Sequence, residues 1–299
     1  MIAPVRPSHP TPWIWLLTLF TTASFIEVIF WSQIQSFTPL YLPKLGITDP
    51  AQITVWTGAI IAISSAIGLP FLPFWGALAD RYARQPVIVR SFVAHLLAGI
   101  LCVLAGNIWL FVLGRAIQSL ALGNSGLMLT ILSERVPQRK VGLSFSIMNS
   151  AGPVGAFLGP LIGGPIVDAY GFPTLLVVDT LLLIIVILAM TFGFRDNYKG
   201  TNRGSIMQMA VGSVGLIFKS ARLRALFPAL FLLQAGWMLA FSYVSLIVQQ
   251  LYKGENIGTA IGLVQGASGI FSIILSLIVG GLGDRFGHWR ILIGGAVLS

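Results

Sequence analysis

The sequence predicts an all-α polytopic membrane protein with a six-helix N-terminal half and an incomplete C-terminal half. Three observations carry that expectation. The 299 residues are 56% hydrophobic and 9% charged, against about 25% charged in soluble domains. Apolar runs of about twenty residues recur, eight complete and a ninth begun, each long enough to cross a hydrocarbon core of about 30 Å. They are continuous rather than alternating, which favours helices over a barrel. Finally, the polar stretch Gly76–Arg90 recurs as Gly280–Arg290: Gly76, Asp80 and Arg81 each have an identical residue 204 positions later, at Gly280, Asp284 and Arg285. A unit of that size repeats as half of a larger bundle, not as a short solenoid unit.

The first run, about Trp13–Gln35, is too long for the apolar region of a signal peptide and is read as a retained helix, ended by the prolines of Phe37–Pro43. The second covers about Ile53–Trp75, the third Val87–Gly106 and the fourth Ile108–Leu132, the last two joined at Asn107. The fifth covers about Val141–Val167, turns through Asp168–Pro173, and leads into a sixth that ends near Phe194. Residues 1–194 make the first bundle, 195–224 a basic linker and 225–299 the second half, with runs at Ala225–Gln250 and Ile257–Gly281. Within the linker, Ile206, Met209, Ala210, Val214, Ile217 and Ala221 fall at helical spacing, so an interfacial helix and a solvated linker are both open. Nine residues follow Arg290, too few to span, so the chain reads as lacking the last helices of its second half.

The net charge of +9 is topological. With the N-terminus inside, the inner loops hold Arg6, Arg81, Arg84, Arg90, Arg135, Arg139, Lys140, six bases of the linker, Arg285 and Arg290, and the outer loops hold Lys44 and Lys253. That asymmetry obeys the positive-inside rule and removes the reason to expect a nucleic-acid partner.

The stretch Gly76–Gln85 resembles the signature G-x-L-[AD]-D-[RK]-x-G-[RK]-[RK] between the second and third helices of the major facilitator superfamily. Gly76, Leu78, Ala79, Asp80, Arg81 and Arg84 match, while Ala83 replaces a glycine and Gln85 a base. The second copy keeps Gly280, Leu282, Asp284, Arg285 and Gly287. The resemblance implies a cytoplasmic latch between the halves, with Gly76 allowing close packing and Asp80 pairing with Arg84; the departures at 83 and 85 would weaken it. Leu113–Gly123 resembles the family's R-x-x-Q-G pattern with Ser119 in place of glycine. The fifth run, with Gly152, Pro153, Gly155, Gly159, Pro160, Gly163, Gly164 and Pro165, is similar to the helix signature of drug:proton antiporters. Gly155, Gly159 and Gly163 share one face, and Gly258, Gly262 and Gly266 form a similar stripe on the eighth run, which in this fold would meet it between the halves.

Ionisable residues within membrane runs are costly and point to function. Glu27, Arg115 and Asp179 each lie eight residues from an outer boundary, about 12 Å deep. Equal depth makes them neighbours, with Arg115 as the cation shared by Glu27 and Asp179. Desolvation favours a neutral carboxyl and a nearby guanidinium an ionised one, so a change in that distance would load or release a proton. Trp31, Gln118, Asn124, Asn149, Gln234, Trp237, Tyr243 and Gln265 outline a mid-membrane cavity suited to amphiphilic or cationic molecules. His95 reads as structural. No phosphate-binding loop, nucleophile–base pair or metal-ligand cluster is present in the sequence; Cys102 stands alone and the three histidines are far apart.

The resemblance therefore implies a carrier and not an enzyme: a monomeric exporter of small amphiphilic molecules in the bacterial inner membrane, N-terminus cytoplasmic. Its partners would be substrate, protons and the lipid bilayer, with no cofactor beyond the proton gradient. A sugar or metabolite carrier of the same fold and a truncated, non-transporting protein are the alternatives.

Overall fold

The computed structural model describes residues 12–68, 71–196, 198, 205–207, 212, 215 and 219–286. No strand occurs among them. In chain order the helices are α1 (Trp13–Tyr41), α2 (Pro50–Gly68), α3 (Leu72–Arg81), α4 (Arg84–Val103), α5 (Ile108–Ser119), α6 (Asn124–Arg135), α7 (Val141–Tyr170), α8 (Phe172–Phe192), α9 (Ala221–Leu251) and α10 (Ile257–Phe286). Five described segments are long and apolar enough to cross a membrane: Trp13–Leu45, Arg84–Val103, Ile108–Arg135, Gln138–Tyr170 and Phe172–Phe192. Most of the linker's amphipathic pattern and everything beyond Phe286, the expected ninth run included, lie outside the described residues.

α1 is the axis of the first bundle. It packs against α2, α6, α7 and α8, and against α9 of the second half. Phe20, Phe30, Ile34 and Phe37 are fully buried along it. α8 is one-sided by contrast. Leu176, Leu183, Val186 and Met190 turn inward, while Leu181, Ile185, Leu188 and Phe192 are exposed at intervals of three and four. In a membrane protein such an outer apolar stripe faces hydrocarbon and needs no protein partner.

Three helix boundaries differ from the sequence expectation. α1 runs through Pro39 to Tyr41 and then tightens into a 3-10 turn at Leu42–Leu45, so the prolines do not end it at Gln35. Lipid permits this, because other groups in the bundle compensate a helix-interior proline. The second run divides into α2 and α3, where the sequence places Pro70 and Pro73, which have no N–H to give. The fourth run divides into α5 and α6. Gly123 lies between them at φ +102°, a left-handed conformation that costs glycine little. Arg90, assigned from the sequence to a loop, sits within α4 and closes this break. Its guanidinium lies 3.5 Å over the Trp75 ring and donates to Leu120 O and, at 3.2 Å, to Leu122 O. Those carbonyls have lost their helical donors and would otherwise be unpaired.

Candidate functional site: a buried polar column and the seam between two halves

The first element of the site is a polar column between α1 and the broken α5–α6 span. The two run antiparallel, and two contacts set their register. Asn124 Nδ2 donates to Glu27 Oε2 at 2.7 Å, and Arg115 Nη2 donates to Gln35 Oε1. Arg115 Nη1 also donates to Gln118 Oε1. Arg115 is 2% exposed and Asn124 3%. His95 on α4 completes the lower contact, its Nδ1 lying 3.6 Å from Glu27 Oε1 and 3.3 Å from Ser91 O.

This geometry corrects the expected grouping. Arg115 is held by two glutamine carbonyl groups, not by Glu27 and Asp179. Asp179 is buried on α8, and among the described residues its Oδ2 has no hydrogen-bond partner. The reason lies in depth. α1 continues to Tyr41, so Glu27 lies fourteen residues from its outer end, whereas Arg115 lies seven residues into α5. At 1.5 Å per residue Glu27 is about 10 Å deeper, and on antiparallel helices each therefore meets a residue eight or nine positions beyond the expected partner. The sequence reads Gln35 as a helix end; a polar residue within a helix that continues past it is the available signal.

The second element is the seam of α7. One face carries Gly155, Gly159 and Gly163, and α1 fills it. A Cβ at Gly155 would meet Val28 at 3.1 Å, one at Gly159 would meet Ser32, and one at Gly163 would meet Phe37 at 2.9 Å. Ser32 Oγ donates to Gly155 O at 3.3 Å and Gln33 Nε2 to Gly159 O at 2.9 Å. The expected groove between the halves is therefore a packing face within the first half. The seam uses the adjacent face, about 100° round the helix. There Gly164 lies against the backbone of Gly258, and Gly262 against the carbonyl of Pro160. At the end of this seam Asp168 accepts from Gly258 N and Thr259 N, both at 2.7 Å, and from Thr259 Oγ1 at 2.6 Å.

A cavity of about 360 Å³ opens beside the seam, lined by Phe157 and its neighbours Pro153 and Ala156 on α7, Phe241 and Val244 on α9, and Gln265, Ser268, Gly269 and Ser272 on α10. Of the residues expected to line it, Gln265 does so. Trp31 stacks on Phe241 at 5.9 Å and so stands one ring behind the wall. Gln118 and Asn124 belong to the polar column. Asn149 is exposed elsewhere on α7, and Tyr243 points to α2, its hydroxyl donating to Thr54 O at 3.3 Å. The side chains of Gln234 and Trp237 lie outside the described residues. Phe157 and Phe241 were invisible in the sequence because apolar runs contain phenylalanine everywhere.

The third element is the basic end of the bundle. The expected latch loop is mostly helix: Gly76–Arg81 belong to α3 and α4 begins at Arg84. Arg84 pairs with Glu134 of α6 through two bonds of 2.8 Å, not with Asp80. Its guanidinium also lies 3.8 Å over the Tyr198 ring, while Tyr198 Oη donates to Asp80 O at 3.4 Å. Asp80 is exposed, and Arg81 lies 5.4 Å from the Tyr82 ring. The departures from the signature have structural roles. Gln85 Nε2 faces the carbonyls of Met190, Thr191 and Phe194 and caps the end of α8. Ala83 is extended at φ −155°, which any residue adopts. Gly76 has open space where a Cβ would stand, so close packing does not require it. In the second copy, Gly280, Asp284 and Arg285 fall within α10, not in a loop, and their side chains lie outside the described residues. Arg84→Ala is expected to destabilise the protein by about 1.5–3 kcal/mol, the worth of a hydrogen-bonded charged group, as a lower midpoint in denaturant titration of the purified protein; Asp80→Ala should leave it unchanged.

A helical bundle joined along a seam to α9 and α10, with a cavity beside the seam and buried charges within the bundle, has the layout of a membrane carrier. The family model described as Major Facilitator Superfamily matches residues 23–299, and the chain belongs to that superfamily: it is a multi-pass membrane transporter and not an enzyme. It is 29% identical over 292 residues to the multidrug resistance protein MdtG of Salmonella arizonae, covering 97% of this chain and 72% of that one. It is 28% identical to the MdtG of Citrobacter koseri, covering 97% and 71%. Solved structures with the same fold include a D-xylose-proton symporter (TM-score 0.69, 15% identity, covering 91% of this chain and 70% of that one) and the nucleoside transporter NupG (TM-score 0.68, 16% identity, 91% and 68%).

Proposed function

We propose that this chain belongs to a proton-coupled exporter of amphiphilic, cationic small molecules that works by alternating access. The observation that carries the reading is one helical turn of α1. Glu27 and Trp31 are four residues apart and share a face. Glu27 meets the polar partners Asn124 and His95, while Trp31 backs the Phe241 wall of the cavity. A change in the charge of Glu27 is thereby one turn from the surface that would hold substrate. Apolar walls with a few amide and hydroxyl groups suit flat, hydrophobic cations, which gain stacking and cation–π contacts, and the likeness to multidrug resistance proteins supports the same substrate class.

The energy source is the proton gradient, and the working unit is a monomer. The basic end faces the cytoplasm of a bacterial inner membrane, as the positive-inside rule requires. Glu27 carries the proton; Arg115, held by Gln35 and Gln118, supplies the fixed positive charge of the column; buried Asp179 is a second acidic group. Proteoliposomes with an imposed pH gradient and a panel of cationic dyes, sugars and amino acids test this. Dye movement that follows the gradient is expected. Sugar or amino-acid movement with no dye movement would overturn the substrate class, and dye movement indifferent to pH would overturn the coupling.

A further inference from the structure

We propose that Asp168 is a clasp that holds the two halves shut at the end of the bundle opposite the basic residues, and that it must release whenever the carrier opens there. This rests on the alternating-access reading above. Asp168 is on α7, in the first half; Gly258 and Thr259 open α10, in the second. The first N–H groups of a helix have no partner within it, and a side chain just before the helix ordinarily accepts from the second and third. In α10 those two donors are taken by a carboxylate from the other half, and the Thr259 hydroxyl adds a third bond. The carboxylate sits where the helix dipole favours negative charge, and its bonds are charge-assisted.

Two features suit this contact to repeated opening. Asp168 is half-buried, so water can replace the three donors as the halves separate, and no unpaired charge is stranded. The close fit depends on small residues: a Cβ at Gly258 would lie 2.8 Å from Asp168 Oδ1 and 2.7 Å from Gly164 O. The clasp and the glycine seam therefore close together. At the basic end, the described contacts Arg84–Glu134 and Tyr198–Asp80 tie together parts of the first half and the segment after α8. Among the described residues, Asp168 is a charged group bonded across the two halves.

Spin labels at Tyr170→Cys and Glu255→Cys, in a Cys102→Ser background and in proteoliposomes, read the separation of the two halves at this end. Asp168→Ala should raise the population at long distance about tenfold or more, the factor carried by one charge-assisted hydrogen bond. Thr259→Val keeps the shape, removes one of the three bonds and should give a smaller shift in the same direction; it decides the question if Asp168→Ala does not fold. An unchanged distance distribution in the folded variants would overturn the clasp. The readout needs no substrate, so a shift in the variants together with no dye transport by the unsubstituted protein would leave the clasp standing and sink the exporter reading instead.

Discussion

Glu27→Gln is expected to leave the protein folded and inserted but unable to concentrate substrate. The substitution is nearly isosteric, and its amide oxygen still accepts from Asn124 Nδ2, which now bonds Glu27 Oε2 at 2.7 Å. What is lost is the titratable proton and the charge facing His95. Structural cost should therefore stay within about 1 kcal/mol, the net worth of a neutral hydrogen bond. The functional cost is much larger. Each charge moved down 100 mV supplies about 2.3 kcal/mol, a concentration ratio of roughly fifty at 1.36 kcal/mol per tenfold. In Glu27→Gln vesicles the dye gradient at steady state should fall toward unity, while exchange of dye down its own gradient continues. Uphill export at full rate, with its dependence on the pH gradient intact, would remove Glu27 from the coupling mechanism.

The second large effect is expected at Gly164. A Cβ there meets the carbonyl oxygen and carbon of Gly258 and, at 2.9 Å, the Cα of Thr259. These are backbone atoms of another helix and cannot move aside as a side chain would. Gly164→Val must push α7 and α10 apart, at about 1–3 kcal/mol for an overpacked contact, which at 1.36 kcal/mol per tenfold is a shift of roughly five- to 150-fold between closed and open arrangements of the seam. Dye export should fall by a similar factor with helical content unchanged. Gly76→Ala is the matched control: nothing lies within 4 Å of its Cβ position, so alanine should be silent despite the signature it interrupts. Normal export by Gly164→Val would show that the seam does not need this approach.

Much of the fold was legible because lipid reduces the vocabulary. Backbone groups in hydrocarbon must be satisfied within the segment, so a run of twenty apolar residues has few outcomes other than a helix. The runs at Val87–Gly106 and Ile108–Leu132, and the turn at Asn107 between them, were placed on that ground, and the side chain of Asn107 does cap α5 by accepting from Leu110 N at 2.9 Å. The breaks at Gly68–Leu72 and Ser119–Asn124 were not. Hydropathy is blind to a helix that stops and restarts within an apolar stretch, and the break at Gly123 is stabilised by Arg90, which lies thirty residues before the Leu120 carbonyl it bonds.

The residues of the candidate site were found more readily than their partners. Glu27, Arg115 and Asp179 announce themselves, because a charge in an apolar run is costly wherever it points. Depth counted from an assumed helix end fails when the helix runs on, as α1 does to Tyr41, and direction around a helix depends on which helix lies opposite. Arg84 illustrates the same limit. Its near carboxylate in sequence, Asp80, is separated from it by an extended Ala83, and its partner Glu134 is fifty residues away.

By itself the sequence determined that this chain crosses a membrane repeatedly, that it is built on a repeated half, and which rare charges it buries. Those properties follow from composition and local pattern, through the cost of placing polar groups in hydrocarbon. Tertiary structure alone decided that Arg115 rests on Gln35 and Gln118, that Glu27 faces Asn124 and His95, and that α7 offers one glycine face to α1 and another to α10. Asp168, which the sequence showed as part of a turn, became a bond between the halves. Partners across a bundle are set by helix direction and by rotations of about 100° per residue. Neither is defined until the helices are packed.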